Sequence, residues 1–87
     1  MDKVYLVTIE WNYGEGMQFV VLNSYKCNES ARAFMEKQIT YECNNEFASL
    51  IENCSIVKNS NYFYCYENGK EDEHFVKFRI EDMVLLD

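Results

Sequence analysis

At 87 residues and 10.4 kDa, the chain has room for one domain. Hydrophobic residues make up 48% of it and aromatic residues 16%, which excludes a disordered chain. Fifteen acids against eight bases leave a formal charge of −7, which argues against any direct nucleic-acid partner.

Lys3 to Asn12 alternates as a strand, with Tyr5, Val7, Ile9 and Trp11 on one side and Val4, Leu6 and Thr8 on the other. Tyr13-Gly14-Glu15-Gly16 supplies a turn, because glycine accepts the positive φ that tight hairpins need. Met17 to Asn23, rich in Phe19, Val20, Val21 and Leu22, returns as the second strand.

A helix follows, capped by Asn28 with Glu29 in its first turn. Its apolar residues recur at Ala31, Phe34/Met35, Ile39, Cys43, Phe47, Leu50/Ile51 and Cys54, a continuous stripe over about six turns. Asn44-Asn45 is the weak point at which it can break in two.

Ser55 to Lys58 reads as a short strand or a connection. Ser60 to Glu67 reads as a strand in which Tyr62, Tyr64 and Tyr66 alternate with Phe63 and Cys65. Asn68-Gly69 is a strong type I′ hairpin signal. The returning strand, from about Glu73 to Met83, puts His74, Val76, Phe78 and Ile80 on one face. The expected architecture is therefore ββαββ: two antiparallel hairpins joined by one long amphipathic helix, packed on one face of a four-stranded sheet. One helix shelters one face only, so a second copy of the chain, a partner protein or a ligand is expected on the other.

The opening Met1 to Glu10 is too short and too alternating for a signal peptide, and no stretch approaches the ~18–20 apolar residues of a membrane span. The expectation is a cytoplasmic protein with no membrane contact. Cys27, Cys43, Cys54 and Cys65 match no compact disulfide framework in their spacing and read as reduced thiols.

Catalytic chemistry finds little material. His74 is the only histidine, and no cysteine-protease signature surrounds any of the four cysteines. A Cys–His dyad would have to assemble from distant positions. There is no Cys-x-x-Cys and no second histidine for zinc, and Glu71-Asp72-Glu73 lacks the twelve-residue calcium-loop pattern. Gly14-Glu15-Gly16 has neither the Lys-Ser/Thr nor the following helix of a phosphate loop. No catalytic residue, metal site or cofactor is expected.

Two features point instead to protein contact. Tyr62, Tyr64 and Tyr66 project from one sheet face, as interface tyrosines do, although ordinary cross-strand pairing also explains them. Beyond Asn61, the acids Glu67, Glu71, Asp72, Glu73, Glu81, Asp82 and Asp87 outnumber Lys70, Lys77 and Arg79, a surface suited to a basic partner or simply to solubility.

The motifs Val4-Tyr5-Leu6-Val7-Thr8, the acidic helix, and Tyr62-Phe63-Tyr64 leading through Asn68-Gly69 to His74 resemble small phage and prophage proteins of Gram-positive and gut bacteria. The size, acidity and Asn/Tyr-rich, proline-free composition are similar to anti-CRISPR and other anti-defence proteins. The resemblance implies a mobile-element origin and non-enzymatic action, and it assigns no functional residue.

The expected function is binding of a host protein such as a defence nuclease, with inhibition of that protein as an outcome. Tyr62, Tyr64, Tyr66, Glu71, Asp72 and Glu73 would make the contact. A small-ligand binder, such as a protein that sequesters a signalling nucleotide in an aromatic pocket with Arg32, Arg79 or Lys77 turned inward between two subunits, is the first alternative, and a structural homodimer the second.

Overall fold

The computed structural model describes residues 2–44 and 53–85. Five strands and one helix follow in the order β1 (Asp2–Tyr13), β2 (Gln18–Tyr25), α1 (Asn28–Asn44), β3 (Cys54–Asn59), β4 (Tyr62–Glu67) and β5 (His74–Leu85). The strands form a single antiparallel sheet ordered β2-β1-β5-β4-β3.

This corrects the four-stranded ββαββ expectation. Cys54 continues the helical spacing of apolar residues, yet it opens a strand, and Cys54–Asn59 pairs with β4 as a fifth strand. Two local preferences favour it. Ile56 and Val57 are β-branched, and Asn59 Oδ1 accepts the Asn61 N–H at 2.9 Å, closing a tight turn that folds the segment back onto β4. The described helix spans Asn28–Asn44, and Asn45, the other half of the predicted weak point, lies outside the described residues. Phe47, Leu50 and Ile51 lie outside the described residues.

The core forms where β1 and β5 pair, with Val7 opposite Ile80, Ile9 opposite Phe78 and Trp11 opposite Val76. Phe63 and Cys65 of β4 extend this layer, Phe63 meeting Phe78 edge-on at 6.2 Å. Ala31 and Met35, one turn apart on α1, close it from above. Arg32 Nε donates to Asn61 Oδ1 at 2.9 Å, tying the helix to the β3–β4 turn.

Hairpin β1–β2 contains a bulge. Val7 faces Asn23 and Thr8 faces Val21, so Leu22 is the extra residue, and it packs on the core.

The β4–β5 connection departs from the predicted type I′ turn. Among described residues, only glycines have positive φ, and here that is Gly69 alone, at 85°. With Lys70 N–H bonded to Glu67 C=O at 3.0 Å, residues 67–70 form a type II-like turn, which needs a positive φ at one position only. A second turn follows, in which the Glu73 and His74 amides both donate to Lys70 C=O.

Gly14 and Gly16 hold φ of 92° and 111°, and a Cβ at Gly14 would lie 3.3 Å from His74 Nε2. Gly14→Ala is expected to cost about 1–2 kcal/mol of stability and to shift the His74 ring resonances. Gly16→Ala meets no neighbouring atom within 4 Å and should cost a similar amount while leaving the His74 signals in place. Urea titration and NMR of the imidazole check both outcomes.

Candidate functional site

The register fixes what each face of the sheet presents. Side chains opposite the helix fall into cross-sheet rows. One row runs Phe19, Glu10, Lys77, Tyr64, Val57 from edge to edge. Its neighbours run Val21, Thr8, Arg79, Tyr62, Asn59 on one side and Asn12, Phe75, Tyr66, Ser55 on the other.

The centre of this outer face is aromatic. Tyr62 and Tyr64 lie 6.4 Å apart by ring centroid, Tyr64 and Tyr66 4.8 Å, and Tyr64 and Phe75 5.9 Å. Lys77 Nζ sits 4.9 Å above the Tyr64 ring and 5.7 Å above that of Phe75. The same ammonium lies 3.6 Å from Glu10 Oε1, so the charge is neutralised within the face. Arg79 is likewise paired with Glu81 at 3.1 Å. Around this centre Phe19, Val21, Val57 and Met83 are each about half exposed, between 48% and 57%.

One end of the face is covered by the chain itself. Asn12 Oδ1 accepts the Gly14 and Gly16 amides at 2.8 and 3.3 Å, and its Nδ2 donates to Asp72 C=O at 3.2 Å. Tyr64 Oη donates to Glu71 C=O at 3.2 Å. These bonds hold the β4–β5 connection beside Phe75, which is buried although it points away from the helix. The backbone of the acidic run is thereby fixed, while Glu71, Asp72 and Glu73 remain exposed. Burial, with Asp72 and Glu71 nearby, pushes the Tyr64 phenol above its ordinary pKa.

The structure thus brings the six sequence-predicted residues into one region. Tyr62, Tyr64 and Tyr66 are half-buried and mutually packed, and the acids ride on the connection that Tyr64 anchors. Phe19, Val57, Glu10 and Asn12 were missed as site residues. Alternation put each on a strand, but only cross-strand register places them beside the tyrosines.

The alternatives find less support in the geometry. His74 Nδ1 lies 3.2 Å from Glu67 Oε2, so its hydrogen bond goes to a carboxylate rather than to a thiol. Among the described residues no group of three or more His, Cys, Asp or Glu is placed to hold a metal ion. Arg32, Lys77 and Arg79 do not converge: the first bonds Asn61 on the helix side, and the others pair with Glu10 and Glu81 on the outer face. An open groove between helix and sheet is lined by Ile9, Trp11, Val20, Leu22 and Glu42, with no basic side chain among these described residues to hold a nucleotide phosphate. Among the described residues no helix is long and apolar enough to cross a membrane.

The cysteines divide into two environments. Cys27, the residue before the predicted cap Asn28, is the actual N-cap, and its C=O accepts the Ala31 amide at 3.2 Å. Hydrogen bonds from the Ser30 and Glu29 amides pull its thiol below the ordinary pKa. Asn28 is the first helical residue, and its side-chain oxygen finds no hydrogen-bond partner.

Cys43, Cys54 and Cys65 gather beneath the other end of α1, packed on the core. Burial, and then the hydrogen bond and charge of Cys54, push the Cys65 thiol up to about 12. Burial also raises Cys43.

No family model matches the chain, and no curated protein or solved structure does either. The comparisons therefore add no relative, from phages or from any other source.

The Cys65 environment has a consequence at high pH. The unfolded thiol ionises near 9.0 and the folded one near 12, so stability is intact below the lower value and falls as pH rises between them. The urea midpoint should drop over this window, and Cys65→Val should show a shallower drop. An identical slope in the two proteins would count against the buried, protonated thiol.

Proposed function

We propose that the protein is a non-enzymatic docking module from a phage or other mobile element, and that it seats a host protein with a basic surface, such as the groove of a defence nuclease. The mobile-element origin rests on the sequence resemblance. The docking reading rests on one observation: the outer sheet face surrounds its tyrosine centre with half-exposed Phe19, Val21, Val57 and Met83 while pairing its own central charges. Rigid aromatics ringed by apolar edges suit a protein interface, where Tyr side chains contribute large contact area. The fixed backbone and exposed acids of residues 71–73 add an electrostatic guide at the rim.

The test is capture of partners from cells that encode the protein, followed by binding kinetics with the purified partner. Phe19→Asp and Val57→Asp are expected to weaken binding at least ~10-fold through faster dissociation. Reversing Glu71, Asp72 and Glu73 to Lys should slow association and remove its dependence on salt. Unchanged kinetics in both sets, or turnover of a substrate by the purified protein, would overturn the reading.

A second reading, a homodimer, is favoured by β2. This edge strand contains no charged residue between Gln18 and Tyr25 and exposes Phe19, Val20 and Val21, so little on it blocks pairing with another strand. Sedimentation equilibrium should then show a dimer that Val20→Lys converts to a monomer. A monomer at every concentration would remove this reading.

A further inference from the structure

Two sulfur atoms on neighbouring strands stand close enough to react with each other. Cys54, the first residue of β3, pairs with Glu67, and Cys65 of β4 pairs with Ile56, so the two cysteines are diagonal neighbours on the helix-facing side. Diagonal positions are ordinarily too far apart for short side chains to meet. Here both side chains lean inward, and the two Sγ atoms are 2.9 Å apart with both thiols reduced. A disulfide needs ~2.05 Å, so closure requires roughly 0.9 Å of further approach. The edge position of β3, paired on one side only, leaves it able to make that adjustment.

We propose that Cys54 and Cys65 are a modification site, oxidised to an intramolecular disulfide by low-molecular-weight disulfides such as oxidised glutathione. Cys54 is the entry point because it is half-exposed, whereas Cys65 is buried. The Cys54 thiolate attacks one sulfur of the reagent, whose S–S bond breaks and releases one glutathione thiolate, which takes up a proton. Cys65 then loses its proton and attacks the Cys54 sulfur, expelling the second glutathione. Two protein thiols are oxidised and one small disulfide is reduced to two thiols, so the exchange balances. The high pKa of Cys65 makes the second step the slow one.

The product would pin the start of the edge strand to its neighbour at the point where the chain enters β3. Asn68 already accepts the Ser55 hydroxyl at 2.6 Å and donates to Asn53 C=O through its side chain at 3.3 Å, so the same end of β3 is held from the β4–β5 turn as well. A covalent link there suppresses fraying of the β3–β4 pairing. It also closes a short loop in the unfolded chain, which adds stability by limiting the states that chain can visit.

Cys27 would react independently, being exposed with a lowered pKa, so the experiment uses the full chain carrying Cys27→Ser. Serine is a preferred N-cap and preserves the helix start. The protein is incubated with excess oxidised glutathione, denatured in N-ethylmaleimide, weighed intact and mapped by non-reducing digestion. The expected product has lost two hydrogens, retains one alkylatable thiol, at Cys43, and yields a linked Cys54–Cys65 peptide. It should also melt several degrees higher and show slower amide exchange along β3.

Adding Cys43→Ser should leave the link intact, whereas Cys54→Ser should abolish it. Three alkylatable thiols after prolonged oxidation, a persistent glutathione adduct without an internal link, or a Cys43–Cys54 link would each overturn the proposal. The Cys27→Ser/Cys43→Ser protein keeps the test decisive if the Cys54→Ser variant fails to fold, since it retains both reacting sulfurs.

Discussion

The pairing of β1 with β5 is the constraint on which the molecule depends. These two strands, the longest in the sheet, run antiparallel from Asp2 opposite Leu85 to Tyr13 opposite His74. Their helix-facing residues Val7, Ile9, Val76, Phe78 and Ile80 are buried, and each needs the other strand to be so. Without this seam the chain would divide into a two-stranded hairpin and a three-stranded meander, each with one naked apolar face and little independent stability. The seam joins the two ends of the sequence, so its loop-closure entropy must be offset before any of its contacts form. The helix cannot compensate for its loss, because Ala31 and Met35 pack on the layer that β1 and β5 create.

The two faces of this sheet solve different problems. On one, apolar side chains are excluded from water by α1. On the other, large rings supply packing laterally, Tyr62 through Tyr66 and Phe75 against one another, with the aliphatic stem of Lys77 suited to pack among them and its charge matched by Glu10. An outer face built this way is ordered without a cover, and its exposed apolar residues then fall at the periphery, on β2, β3 and the end of β5. That distribution makes the face a platform with an adhesive border rather than a bare hydrophobic surface.

The end of the sheet near Gly14 and Gly69 shows how a turn can be rigid and charged at once. Asn12 serves both turns, accepting amides from one and donating to a carbonyl of the other. The backbone groups that would otherwise compete for partners are satisfied, and the carboxylates of Glu71, Asp72 and Glu73 stay in water, where their charge carries no desolvation cost. Negative charge held in a fixed position acts on an approaching partner more effectively than the same charge on a loose loop, since less ordering is required on contact.

Alternation and turn chemistry determined much of the local structure. Period-two patterns marked Tyr5, Val7, Ile9 and Trp11, and likewise His74, Val76, Phe78 and Ile80, as single faces of strands, because successive side chains point opposite ways. Gly14, Gly16 and Gly69 marked turns, because they alone tolerate positive φ there. Tertiary structure decided the rest. It drew Cys54–Asn59 into the sheet against a helical spacing that fitted equally well, since an open edge on β4 offered backbone partners that sequence periodicity does not register. It also chose which strands lie side by side. The tyrosines were visible as a stripe, but their neighbours Phe19, Val57, Lys77 and Glu10 belong to other strands and meet them only through register, a property of pairing between distant segments.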